Sequence, residues 1–509
     1  MKAHLIGIDV GTGSTKTVLV DETGSVVATA VSQEYPLVSS RPGWAEQDPE
    51  HWWQAAIAGV RQVIGSSGVS PSSIRAVGLS GQMHGSVFLD RDNRVVRPAI
   101  LWCDQRTADA CAWITRTVGK KRLIELVSNP ALTGFTAPKI IWVRTHEPRT
   151  YERISKVLLP KDYVRFRLTG EFATDVSDAS GTLLLDVRRR RWSTDMLRLL
   201  AIPREWMPSC HESTAVTGAV TKIAAEVTGI PEGTPVVGGG GDQAAQAVGS
   251  GIVRRGLVSV TIGTSGVVFA HSDRPRTDPL GRLHTFCHAV PGKWHLMGVM
   301  LSAGGALRWL RDLCCDEEKR QAQQASVDPY ELMTARASEI PVGAEGVSFL
   351  PYLSGERTPH ADPHARGAFI GLSLRHTRAH LIRAVMEGVG FGLRDSLDIM
   401  RDLGIPMESI RLSGGGARSA VWRRMLCDMF NAPVCAMTVA EGASHGAALL
   451  AGVGAGVFPD VPAACDTLAT SDRMDPVPDT ARRFERLYRY WGGLYPKLKT
   501  SFRAAARLS

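Results

Sequence analysis

Two aspartates in this 509-residue chain stand where a strand pattern gives way to glycine. Asp9 closes the run IGID and is followed, after Val10, by the turn Gly11–Thr12–Gly13–Ser14–Thr15. Asp242 follows four consecutive glycines in VVGGGGDQAAQAVG. Glycine turns rich in hydroxyls present backbone N–H groups to anions. Asp9 would repel a bare phosphate, so the pairing makes sense with a hard cation between the two. Mg²⁺ suits that place, because it combines one or two carboxylates with phosphate oxygens and water. Asp242 stands before an alanine-rich helix, where a carboxylate can accept a proton from a hydroxyl or cap the helix.

Two more turns share this design. One is Gly263–Thr264–Ser265–Gly266 within LVSVTIGTSGVVFA; the other is Gly414–Gly415–Gly416, between a strand and a helix. A helix N-terminus of that kind can meet a phosphate or a ribose. The familiar nucleotide loops do not fit. Gly11 to Lys16 does not supply GxxxxGK[ST], and Lys16 stands where GxGxxG needs its third glycine.

The elements that must position these residues follow from periodicity. The first thirty residues alternate as an antiparallel meander, since parallel strands would need crossovers. Asp48 caps a helix that begins at Pro49 and shows Trp52, Ala55, Ala56 and Val60 on one face. Core packing is the reading for Trp52 and Trp53. Residues 74–80 form a strand ending at GQMHG. The strand–turn–strand unit recurs at 257–272, which implies two lobes of related design. The division predicted is residues 1–250 and residues 251–509. A long helix over 378–398, a strand over 409–413, a helix from Ser419 and a small-residue helix in GASHGAALLAGVGAG follow. An amphipathic docking helix covers about 479–495, capped by Asp479, with Phe484, Leu487, Tyr488 and Trp491 as its stripe.

Composition narrows the class. At 44% apolar and 21% charged residues the chain reads as globular. The net charge of +9 comes from scattered Lys and Arg, which argues against a nucleic-acid surface. The nine cysteines include no CxxC pair, so neither a zinc ribbon nor a disulfide framework is suggested. No run of 18 apolar residues suggests a membrane span, and the opening apolar run is too short for a signal peptide, so the expected location is cytoplasmic.

The whole pattern resembles the FGGY carbohydrate kinases, of the actin/hexokinase/Hsp70 ATPase superfamily. The resemblance is carried by IGIDVGTGSTK, GLSGQMHG, LLPKDYVRFRLTGEFATDVSDASGT, GGGGDQAA, SVTIGTSGVVFA, FLPYLSGERTPHADPHARGAFIGL and GGGARSAVW, and thins after about residue 460. It implies an α/β fold of two ribonuclease H-like domains with a cleft between them. It further implies phosphorylation of a ketose by ATP with Mg²⁺, the first lobe binding sugar and the second nucleotide. Within the family, GQMHG with LPKDY and LPYLSGERTPH points to D-xylulose; ribulose, fuculose, gluconate and glycerol are the alternatives, and a non-catalytic sugar sensor is a further one. By resemblance, Asp242 is the catalytic base and Asp9 the catalytic, Mg²⁺-associated carboxylate. Met83, His84, Asp242 and Gln243 would meet the sugar. Gly11, Thr12, Gly13, Ser14, Thr264, Gly415 and Gly416 would meet the nucleotide. Arg357 and His360 in GERTPH carry no assigned role. Gln243 replaces the usual Asn, which bears on sugar choice. The partners implied are small molecules, without nucleic acid or membrane; a homodimer is compatible with the sequence.

Overall fold

The computed structural model describes residues 2–437, 442–466, 468, 470 and 473–506. His4–Val10, Thr15–Asp21 and Val26–Val31 form the antiparallel meander, with Asp9 opposite Lys16. His4–Val10 also pairs in parallel with Ile74–Gly81. Ile74–Gly81 pairs in parallel with Pro235–Val237 and with Gly240–Gly241. The crossover that parallel pairing requires contains the helix Pro49–Ser67. Asp48 caps it, accepting from the Glu50 amide at 2.9 Å, and Pro49 takes the first position. Trp52 and Trp53 are both buried with it in the hydrophobic cluster around Ile6, Ile8 and Leu79.

A second sheet repeats this plan. Its order is His284–Cys287, Trp294–Met300, Gly266–Ser272, Leu257–Ile262, Ser409–Ser413 and Val434–Ala436. The first three junctions are antiparallel and the last two parallel. The first sheet shares a five-strand core of two antiparallel and two parallel junctions, but carries its extra edge strand, Val216–Ala219, antiparallel at the opposite end. The recurrence of the strand–turn–strand motif therefore reflects a recurrence of the five-strand core. The long helix runs Arg378–Asp402, a turn beyond the range expected from sequence.

The lobes meet along two seams. In the first, the small-residue helix Gly442–Gly454 lies against Asp242–Gly249 and against the first sheet. Backbones approach so closely that a Cβ on Gly446 would stand 1.9 Å from the Ala245 carbonyl oxygen, and one on Gly7 1.9 Å from that of Ser444. Gly446→Ala is expected to cost about 3 kcal/mol by overpacking a backbone contact that has no side chain to yield. A thermal melt reads that loss; an unchanged melting temperature would show that the helices can separate freely. In the second seam, strand His284–Cys287 is fastened to the first lobe. Asn129 Nδ2 donates to the Thr285 carbonyl at 2.9 Å, and the Cys287 amide donates to Ser180 Oγ at 3.0 Å. Phe286, Cys287 and Met297 join the hydrophobic cluster that contains Met83 and Phe135.

The C-terminal helix corrects the sequence reading. It spans Pro478–Gly492 and is followed by a separate helix Leu494–Ala505. Asp479 is not its cap: Val477 holds that position, with its amide donating to Asp428 Oδ1 at 2.8 Å, and Asp479 pairs with Arg482 in the first turn. The chain is thus held before Pro478, and proline takes the first helical position. The apolar stripe docks as expected, with Trp491 Nε1 donating to the Phe349 carbonyl at 2.8 Å and Tyr488 to Asp395 at 2.7 Å. All nine cysteines are free thiols, and among the described residues no helix is long and apolar enough to cross a membrane.

Candidate functional site

Asp9 and Asp242 owe their proximity to strand register. Asp9 lies opposite Ser80, and Ser80 lies opposite Gly240, so three adjacent parallel strands end at one level. Gly241 completes its strand and Asp242 begins the helix Asp242–Gly249. The N-cap position is Gly241, so Asp242 occupies the first helical turn rather than the cap, and its Oδ1 accepts from the Gln243 amide at 2.7 Å. Both carboxylates are recessed yet retain some exposure. Burial raises Asp242 to about 7, and the charge of Asp9 adds to that rise. Burial raises Asp9 to about 6, against the opposing pull of the Ser80 hydroxyl and Lys16. Asp9 Oδ1 has no hydrogen-bond partner among the described residues. A carboxylate near neutrality is suited to take up and release a proton in ordinary buffer.

The turn after Asp9 is pinned from several sides. The Gly11 amide donates to the Ser14 carbonyl at 3.1 Å, and Tyr35 donates its hydroxyl to the Gly11 carbonyl. Gln47 Nε2 donates to the Thr12 carbonyl at 2.7 Å. The Thr12 hydroxyl accepts from Trp102 Nε1 at 2.9 Å and donates to Gln82 Oε1 at 3.2 Å. It is therefore engaged within the protein, as is the Gly11 amide, which leaves the amides of Thr12, Gly13 and Ser14 to face a ligand. Gly13 is exposed at the tip, with Ser14 beside it. Gln82 lies within GQMHG and Gln47 just before the Asp48 cap, but sequence alone assigns neither a role.

Met83 packs against Gly241, the residue before Asp242, and His84 follows it. Met83 is buried, and a Cβ on Gly241 would stand 2.8 Å from its Cγ, so glycine is what lets Met83 lie against the strand end. His84 adopts φ +70°, the left-handed region. Three bonds hold that unusual conformation. Its carbonyl accepts from Lys139 Nζ at 2.8 Å and Thr136 Oγ1 at 3.1 Å, and its Nδ1 meets the Gly181 carbonyl at 2.7 Å. A carbonyl only accepts, so Nδ1 carries the proton and Nε2 is left as an acceptor. Burial, together with the nearby charges of Lys139 and Arg357, keeps the imidazole neutral. Burial also lowers Lys139 to about 7. Arg357 comes from the second lobe, on a loop fastened by Thr358 to Val299 and Arg282. His360 is elsewhere, stacked on Tyr495 at 3.7 Å.

Thr264, Gly415 and Gly416 line a separate cavity of about 520 Å³ in the second lobe. Ile262, Leu307 and Trp422 give it an apolar side, and the turn Gly263–Ser265 meets the start of helix Gly304–Cys314 at one end. The Gly304 and Gly305 amides donate to the Gly263 and Thr264 carbonyls at 2.8 and 3.1 Å. Size and lining suit a purine nucleoside. Asp328, Tyr330, Glu331 and Thr334 also line it, and nothing in their sequence context marks them. Gln246, one turn along the helix from Asp242, donates to Thr261 Oγ1 at 3.4 Å, which links the two groups of residues.

The family profile for the N-terminal domain of the FGGY family of carbohydrate kinases matches residues 4–249, and that for its C-terminal domain matches residues 258–455. The chain is 43% identical to the xylulose kinase of Escherichia coli over 491 residues, 95% of this chain and 98% of that one. It is 37% identical to the xylulose kinase of Bacillus subtilis, over 97% of both chains. The crystal structure of xylulose kinase from Rhodospirillum rubrum superposes with a TM-score of 0.91 at 34% identity, covering 98% of this chain and all of that one. The two-lobed α/β fold is thus shared, and the chain belongs to the FGGY family of carbohydrate kinases.

Proposed function

We propose that this chain is a xylulose kinase, which transfers the γ-phosphoryl group of ATP to the 5-hydroxyl of D-xylulose. The observation that carries the reading is Asp242 beside Asp9 at a common strand end, with Met83 packed against Gly241 there and His84 next in the chain. The relatives named above, all xylulose kinases over nearly their full length, support the sugar. In this reading the first lobe, residues 1–250, holds the ketose, and the second, residues 251–509, holds ATP in the cavity beside Thr264, Gly415 and Gly416.

The hydroxyl oxygen forms the new P–O bond while the bond from the γ-phosphorus to the β–γ bridging oxygen breaks and ADP leaves. Asp242 accepts the hydroxyl proton and passes it to solvent. Phosphoryl transfer has a loose transition state, so positioning and charge complementarity carry most of the rate. His84 Nε2 accepts from a sugar hydroxyl, and Gln243 reaches the sugar from the position after the base. The amides of Thr12–Ser14 and of Thr264 and Ser265 face the phosphates. Asp9 fits a Mg²⁺ ion: its orphaned Oδ1 is a hard oxygen donor beside a turn suited to phosphate. When bound, Mg²⁺ offsets the phosphate charge.

A coupled assay of ADP release across a panel of ketoses and polyols tests the proposal. The highest kcat/KM is expected with D-xylulose. A preference for ribulose, fuculose, gluconate or glycerol would overturn the sugar assignment, Gln243 being the first residue to re-examine. No ADP with any sugar would overturn the kinase reading for this chain.

A further inference from the structure

Behind the four glycines that deliver Asp242 lies a fully buried group of charges that the mechanism above does not use. Lys161 Nζ is 2.6 Å from Asp162, 3.0 Å from Asp175 and 3.5 Å from Asp178. Arg165 Nη2 is 2.8 Å from the same Asp162. Two cations and three carboxyl groups, of which burial drives Asp178 towards its neutral form, are thus removed from water, an arrangement that contributes little net stability and persists where it fixes one geometry. Its outward bonds reach the glycine stretch at both ends. Arg165 Nη2 donates to the Gly238 carbonyl at 3.0 Å. At the other end the Gly241 amide donates to Ser177 Oγ at 3.1 Å, and that hydroxyl donates to Asp175 Oδ2 at 2.5 Å. Asp175 Oδ2 also accepts from the Ser177 amide at 2.8 Å and from Ser213 Oγ at 2.9 Å.

Glycine is the residue least able to hold a conformation by itself. Between the two anchors, Gly239 takes φ +68°, and a Cβ there would stand 1.9 Å from the Leu79 carbonyl oxygen. Four glycines allow the chain to press against the strand Ile74–Gly81, yet leave the residue that follows poorly determined. Something outside the stretch must set where Asp242 points.

We infer that the buried Lys161–Asp175–Ser177 relay is a positioning device for Asp242, with Ser177 as its last link through the Gly241 amide. The inference rests on Asp242 being the base. Ser177 touches no substrate in this account; it acts through Gly241.

The discriminating variant is Ser177→Ala, because Asp175 keeps its bonds to Lys161, to Ser213 and to the backbone amide of residue 177. It is expected to melt within about 3 °C of the parent, as suits the loss of one hydrogen bond in a chain of this size. Its kcat is expected to fall between about ten- and a hundredfold, the range for a reacting group displaced by up to an ångström. KM for D-xylulose should stay within about threefold, because ground-state binding is not what the relay sets. Lys161→Met provides a second readout: it removes a positive charge from behind Asp242, so the acid limb of kcat/KM should move to higher pH. A Ser177→Ala enzyme with parental kcat would overturn the inference. So would a kcat loss that only matches a loss of folded protein, measured by the amplitude of the thermal transition. Asp242→Ala, run alongside, separates the two claims: if that variant turns over normally, the base assignment fails, whatever Ser177 does.

Discussion

Asp242→Asn is expected to lower kcat by about 10³-fold, towards the upper part of the range for losing a positioned general base. The amide keeps the shape of the carboxylate and can still accept from the Gln243 backbone at the start of the helix, so sugar affinity by calorimetry should change only a few-fold. Stability should move the other way. The folded carboxylate titrates at about 7 against 3.8 for an unperturbed Asp, so the folded chain holds a proton that the unfolded chain has released between those values. Stability from this group is therefore present at low pH and is lost as pH rises through 7. Asparagine carries no such penalty. At pH 8 the variant should be more stable by about 1 kcal/mol after solvent screening, a stability–activity exchange typical of functional sites, and the gap should close towards pH 4. Ordinary turnover, or a kcat loss matched by an equal loss of sugar binding, would remove Asp242 from the role of base.

What was legible in the sequence is what local chemistry dictates. Asp48 before Pro49 specifies a cap without help from the rest of the chain, and it caps. The hydroxyl–glycine turns at Gly11 and Gly263 mark strand ends because a hairpin needs those residue types, and both turns join antiparallel strands. The small residues of GASHGAALLAGVGAG signalled close packing, though not their partners; Gly446 against Ala245 is a contact between residues some two hundred positions apart. Illegible features are those set by tertiary placement. Asp328, Tyr330, Glu331 and Thr334 belong to a helix start that would look the same on any surface, and only the fold turns it towards the cavity. Gln82 and Gln47 are ordinary polar residues until burial makes their amides brace the Gly11–Thr12 turn. Asp479 misled because a carboxylate beside proline is a common helix start; the Val477–Asp428 bond, made across the tertiary fold, decides the cap instead.

Asp9→Asn has the other large expected effect, and it should show in two independent ways. The first is catalytic: the unpartnered Oδ1 becomes part of a neutral amide, a weaker ligand for a hard cation. With a fixed ATP concentration, the Mg²⁺ needed for half-maximal rate should rise, and kcat at saturating Mg²⁺ should fall about 10²–10³-fold, the scale of losing one preorganised electrostatic contact to the reacting group. The second is electrostatic. The charge of Asp9 is one of the causes that hold Asp242 near 7. Removing it lowers the cost of ionising Asp242, so the acid limb of kcat/KM, which reports the free enzyme, should move to lower pH in the variant. The two readouts divide the explanations. A shifted acid limb with unchanged Mg²⁺ demand would make Asp9 a neighbour of the base and nothing more. Raised Mg²⁺ demand with an unmoved limb would mean that the two carboxylates do not feel each other, contrary to the common level at which their strands end. Only both changes together fit a metal-bearing carboxylate set beside a proton acceptor by adjoining parallel strands.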